Sequence, residues 1–114
     1  MSNTAIVFPY FAYNVITSGA TNIIANQGYI SSSAGPALQF TLPTTVGVGA
    51  IIQVANLAGG WQINLNAGQN IIFGTANATS YIKSVNTGDA ITLVCVVANT
   101  TFLETACQGN LQWS

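Results

Sequence analysis

Three side chains in this chain of 114 residues carry charge, Lys83, Asp89 and Glu104, and there is no histidine. Acid–base catalysis near neutral pH most often uses His, so what remains is a carboxylate pair or an activated nucleophile. A carboxylate pair works only when both groups reach one substrate, as in glycoside hydrolysis. The sequence around Asp89 and Glu104 reads as a hairpin that runs through 91–97, turns near Asn99-Thr100 and returns through Phe102-Leu103. Asp89 stands before its first strand and Glu104 just past the turn, so the acids are expected well apart. A Ser or Cys nucleophile lacks a His base, and Lys83 alone is a thin substitute. The expectation is a chain with no catalytic residues and no cofactor.

Cys95 and Cys107 raise the question of a disulfide or a metal. In the same hairpin Cys95 would face position 103 or 104 and Cys107 would face 91 or 92. They would then lie about 10 Å or more apart along the strands. A disulfide needs Cα atoms within about 7 Å, so a bridge within the hairpin is disfavoured. Cys95, in an apolar strand, reads as a small buried hydrophobe. Cys107, beside a Gly-containing turn, is the candidate for a bridge between copies. Two Cys without His do not complete a tetrahedral zinc site in one chain, so no metal is expected. Asn77-Ala-Thr and Asn99-Thr-Thr match the glycosylation sequon, which has meaning only in a eukaryotic secretory host. Trp61 and Trp113 are candidates for a sugar-stacking platform. Trp61 reads as core, whereas Trp113 is placed either in a core or over a subunit interface.

The elements that position these residues follow from composition. Half of the residues are apolar and 3% are charged, against about a quarter in ordinary soluble domains. The length fits one domain with one core. A net charge of −1 offers no field for nucleic acid and little repulsion between copies. Asn, Thr, Ser, Gly or Gln interrupts every apolar stretch, so no transmembrane helix is expected. The N-terminus lacks the basic region of a secretory signal, which points to a mature form or to release by lysis or a signal-independent route. A transmembrane barrel of at least about eight ten-residue strands would use nearly the whole chain, so no membrane span is expected.

Gly, Asn and Pro punctuate segments rich in Val, Ile, Thr, Phe and Tyr, which marks an all-β protein. Strands are expected near 5–16, 21–31, 37–42, 48–57, 60–66, 70–74, 79–85, 89–98, 101–107 and 110–114, with no helix. In Trp61-Gln62-Ile63-Asn64-Leu65-Asn66 the alternation is strict, so Trp61, Ile63 and Leu65 share a face. A three-residue loop at Ala67-Gly68-Gln69 would pair this strand with 70–74, setting Leu65 opposite Ile71 and Ile63 opposite Phe73. The strand 91–97 is apolar on both faces, as expected in the middle of a covered sheet.

The segment 5–16 differs from the rest. Phe8, Tyr10, Phe11 and Tyr13 fall on both strand parities, and Pro9 belongs on an edge or at a bulge. Such a strand either docks a neighbouring subunit or completes its own sheet. On the docking alternative, Phe8, Pro9, Tyr10, Phe11, Tyr13, Val15 and Trp113 form the assembly interface. Removing residues 1–16 would then leave a folded chain that does not assemble.

From about residue 19 to 110 the sequence resembles a β-structured repeat module of bacteriophage tail-fibre and bacterial surface or appendage proteins. The resemblance rests on Gly59-Gly60-Trp61-Gln62-Ile63, Asn66-Ala67-Gly68-Gln69, Ile72-Phe73-Gly74 and Gly88-Asp89. It continues through Leu93-Val94-Cys95, Ala98-Asn99-Thr100-Thr101-Phe102 and Gln108-Gly109-Asn110. It implies a module of oligomeric, often trimeric, fibrous proteins, with no catalytic residue to carry over. The aromatic segment at 5–16 is an addition to that pattern.

Together these readings give an antiparallel β-sandwich of jelly-roll type at 19–114, preceded by an apolar docking element at 1–18. The expected function is a structural, self-assembling subunit of an extracellular fibre, filament or virion appendage, whose partner is itself. The alternative is a homotrimeric module that binds a cell-surface glycan or receptor through loops around 75–79 and 86–88.

Overall fold

The computed structural model describes residues 12–114, all-β and without a helix among them. The strands are β1 (Tyr13–Ile16), β2 (Ala20–Asn22), β3 (Gln27–Ser32), β4 (Leu38–Thr41), β5 (Ile51–Ala58) and β6 (Trp61–Asn64). They continue as β7 (Asn70–Phe73), β8 (Ala76–Ala78), β9 (Tyr81–Lys83), β10 (Ala90–Val97), β11 (Thr101–Gln108) and β12 (Gln112–Trp113). A seven-stranded sheet has the order β1-β3-β5-β10-β11-β7-β8, and a five-stranded sheet the order β12-β9-β6-β4-β2.

Up to β6 the chain alternates between the two sheets, odd strands in the larger and even strands in the smaller. Like strands stack in parallel, β1 on β3 on β5 and β2 on β4 on β6. The first half is therefore wound, each turn adding one strand to each sheet. The second half closes the stack: β10 is antiparallel to β5 and to β11, while β7 is parallel to β11. This mixed pairing corrects the antiparallel expectation, and the ladders do not follow a jelly roll. Alternation of apolar residues has the same period in both kinds of ladder, so it cannot distinguish them.

The expected hairpin of 60–66 with 70–74 is also corrected. β6 pairs with β4 and β9 in the smaller sheet, whereas β7 pairs with β11 and β8 in the larger. The turn at 66–69 carries the chain from one sheet to the other. Trp61, Ile63 and Ile71 all point into the core as the alternation requires, but from opposing walls. The hairpin of β10 and β11 forms as expected, turning at Asn99, which sits at φ 65°. The expected strand 21–31 is divided by a turn at Asn26, also at φ 65°, into β2 and β3.

The core lies between the sheets and includes Phe40, Ile52, Trp61, Ile63, Ile71, Ile82, Leu93, Cys95 and Phe102, all fully buried. Among the described residues every buried side-chain nitrogen and oxygen has a hydrogen-bond partner. No helix among them is long and apolar enough to cross a membrane.

Candidate functional site

The motif residues of the sequence gather into two polar knots at opposite ends of β10. At its start, the Asp89 carboxylate accepts the backbone N–H groups of Val85 and Asn86, both at 2.7 Å. Trp61 Nε1 donates to the Asp89 carbonyl at 3.1 Å, which also accepts the Asn56 N–H at 2.9 Å. Asn56 Oδ1 accepts from Gly60 N and Ser31 Oγ, and Asn56 Nδ2 donates to the Asn86 carbonyl. Gly109 closes against the Asp89 carboxylate. The strings Gly59-Gly60-Trp61, Gly88-Asp89 and Gln108-Gly109 thus converge.

At the other end, buried Gln69 donates to the carbonyls of Pro43 (2.8 Å) and Asn99 (3.1 Å). Its Oε1 accepts from the backbone N–H and the side-chain amide of Asn66. Asn99 Oδ1 accepts the Val46 N–H at 2.8 Å. Asn66-Ala67-Gly68-Gln69 and Asn99-Thr100 therefore lock two turns and a loop together. The hydrogen bonds of these side chains hold the turns and the loop in place. Sequence reading missed the burial of Asn56, a polar residue on the inward phase of Ile52 and Val54 in β5, and of Gln69, because an amide in a turn carries no periodic signal.

The two carboxylates do not converge, and neither do the two cysteines. Glu104 stands opposite Leu93, four positions along β10 from Asp89, roughly 13 Å at the usual rise. Cys107 stands opposite Ile91 and Cys95 opposite Phe102, one residue from the expected partner, and both thiols are free. Cys95 is buried and Cys107 exposed, as the sequence suggested. A hydrogen bond to the Glu104 carboxylate holds the Cys107 thiol above its ordinary pKa range, helped by slight burial and by the Glu104 charge. No group of three or more His, Cys, Asp or Glu residues among the described residues could hold a metal.

The outer faces of the two sheets differ in character. On the smaller sheet, Gln39, Gln62 and Lys83 form one row, and Thr41, Asn64 and Tyr81 the next. Gln62 donates to Asn64 (2.8 Å), Asn64 donates to Gln39 (3.0 Å), and the Lys83 ammonium lies 5.7 Å from the Tyr81 ring centroid. The larger sheet instead turns apolar residues outward. The register aligns Val15, Ile30, Ala55 and Ala90 in one row, and Ile51, Val94, Leu103 and Ile72 in another. Between them Tyr13, Gly28, Gln53, Thr92 and Ala106 share a row, and the Tyr13 hydroxyl donates to Gln53 Oε1 across Gly28. No residue of these three rows is charged. The two-sided apolar pattern of 91–97 was the sequence signal for this face, and β10 is the central strand of seven. Yet Ile51 (37%), Leu103 (38%) and Ile72 (36%) remain more than a third exposed.

Of the residues expected at an assembly interface, Phe8, Pro9, Tyr10 and Phe11 lie outside the described residues. Tyr13 and Val15 are 50% and 59% exposed on β1, the outermost described strand of the larger sheet. β1 pairs with β3 of its own chain, so this part of the segment completes its own sheet. Trp113, on the outermost strand of the smaller sheet, is 45% exposed and meets Phe73 edge-on at 5.6 Å. The expected binding loop at 75–79 is corrected, since 76–78 forms β8 against β7. The loop at 86–88 is present, with Asn86 and Gly88 held by Asp89 and Asn56. Comparison with models of known protein families gives no match, and neither does comparison with curated proteins.

Proposed function

We propose that the chain is a non-enzymatic, self-assembling structural subunit of an extracellular fibre, filament or virion appendage. The observation that carries this reading is the outer face of the seven-stranded sheet, where uncharged apolar rows run across strand after strand. Isolated surface hydrophobes are ordinary, whereas a contiguous apolar patch of several hundred Å² marks an interaction site. A net charge of −1 adds no repulsion between copies. In this reading the apolar segment at 5–11 leads out of β1 and joins one copy to the next, and a contact of that kind that does not close on itself gives a filament. β1 is a working strand of the fold, so the test is removal of residues 1–11, not 1–16. Negative-stain microscopy is expected to show filaments for the whole chain and none for the shortened one. Filaments from both would exclude the segment as the joint.

A second reading, a receptor- or glycan-binding module, is favoured by the amide rows of the smaller sheet. Gln39, Gln62 and Asn64 present donors and acceptors beside the Tyr81 ring, a combination suited to sugar hydroxyls. Binding on a glycan array that is lost in Gln62→Ala and Tyr81→Ala would support it, and a blank array would remove it.

A further inference from the structure

We propose that the outer face of the seven-stranded sheet is where two copies of this chain pack face to face about a two-fold axis. The inference rests on the self-assembly reading above and adds the place where copies meet. Its first support is size. The three rows cross four, five and four strands, and at ~4.8 Å between strands and ~6.8 Å between rows they cover about 400 Å² in plan. Corrugation by side chains raises the accessible area, which approaches the lower range of specific interfaces, about 600 Å² per partner.

The second support is the cost of drying the face. Ile51, Val94, Leu103 and Ile72 carry no polar side-chain atom, nor do Val15 and Ile30. The polar groups between them include Tyr13 and Gln53, which already bond one another. Burial therefore requires new partners only for the Gln53 amide nitrogen and the Thr92 hydroxyl, and orphaned polar groups are what make burial unfavourable. The third support is charge. A two-fold axis sets each patch against its own copy, so any charge on it would meet its like. None stands on these rows. The one cation, Lys83, is on the opposite sheet. Two such sheets pack about 10 Å apart, as within a sandwich.

Sedimentation velocity of the full chain tests the proposal. Leu103→Lys places a charge in the outer row, and Ile72→Lys does the same one strand away should the first variant lose its near-UV signature of folding. Either is expected to weaken dimerisation by about tenfold or more. Gln62→Lys, on the amide face, is expected to leave it unchanged. The triple variant Phe8→Ser, Tyr10→Ser, Phe11→Ser is expected to lose larger assemblies and keep the dimer. Wild-type sedimentation of the folded row variants overturns the proposal, as does a monomeric triple variant. A monomeric unmodified chain also overturns it, leaving the face to residues 1–11 of the same chain or to a foreign protein. Dimers in the triple variant with the larger assemblies intact support the face and defeat the segment-joined filament.

Discussion

Gly109 lies so close to the carboxylate of Asp89 that no side chain fits between them. Gly109 sits at φ 86°, where an L side chain is strained, and the carboxylate it would displace holds two N–H groups of the 85–86 loop. The relationship gives this buried acid a fastening role in the fold. Gly109→Ala should cost about 2–4 kcal/mol, from backbone strain and the displaced buried acceptor. Thermal denaturation should show Tm lowered by roughly 10 °C or more. An unchanged Tm would mean that the 85–89 loop is not held in this way.

Gln69 offers a test whose sign depends on pH. Its amide nitrogen donates to two carbonyls, Pro43 and Asn99, that a carboxylate would repel. Gln69→Glu should therefore destabilise the fold strongly at neutral pH. Burial and the two carbonyls raise the folded-state pKa of that carboxyl, so the loss should shrink as pH falls from the raised value toward about 4, where a protonated carboxyl recovers one donor. Denaturant titrations at pH 7 and pH 4 check this. A loss equal at both values would show that the donor role is unimportant.

Cys107 should react sluggishly for an exposed thiol. Glu104 stabilises the protonated form, so less thiolate is present at a given pH than in an unperturbed cysteine. Glu104→Gln removes the charge and leaves only a weaker, neutral amide oxygen as acceptor. The midpoint of the alkylation rate against pH should move down, and the rate at pH 8 should rise a few-fold. Cys95, buried at the middle of the core, should react only on unfolding. Equal Cys107 rates in the two proteins would show that the Glu104 contact does not persist in solution.

An assembly held by uncharged apolar rows has its own salt signature. Added NaCl should leave association nearly unchanged, because there is no interfacial ion pair to screen. Ammonium sulfate should strengthen it, and cooling should weaken it. Light scattering follows all three, and dissociation by NaCl would point to a charged contact elsewhere.

The legible part of the fold was its faces. Strict alternation in 61–65 placed Trp61 and Ile63 inward, and both are fully buried. The two-sided pattern of 91–97 placed that strand centrally, and it is the fourth of seven. Partners were not legible. Trp61–Asn64 and Asn70–Phe73 are close in sequence and alternate in the same way, which suits a hairpin and an inter-sheet turn equally. What decides is Gln69, whose amide ties the turn to Pro43 and Asn99, residues about thirty positions distant in the chain. The parallel winding of β1 to β6 is likewise fixed by contacts between distant segments. Asn26 and Asn99 show a further limit, for asparagine tolerates positive φ without announcing where it adopts it.

The candidate surface was half legible. The sequence named Tyr13 and Val15, and both are exposed at the rim of the apolar face. It did not assemble Ile51, Leu103 and Ile72 with Val94, because those residues meet only through the register of four strands. Composition indicated that copies would not repel one another, and the proposed contact lies on the outer face of the larger sheet.

The most direct measurement is the molar mass of the unmodified full chain by light scattering across a wide concentration range. Self-association predicts a mass that climbs above the monomer value as concentration rises, passing through the dimer. A mass fixed at the monomer value at every concentration would contradict it.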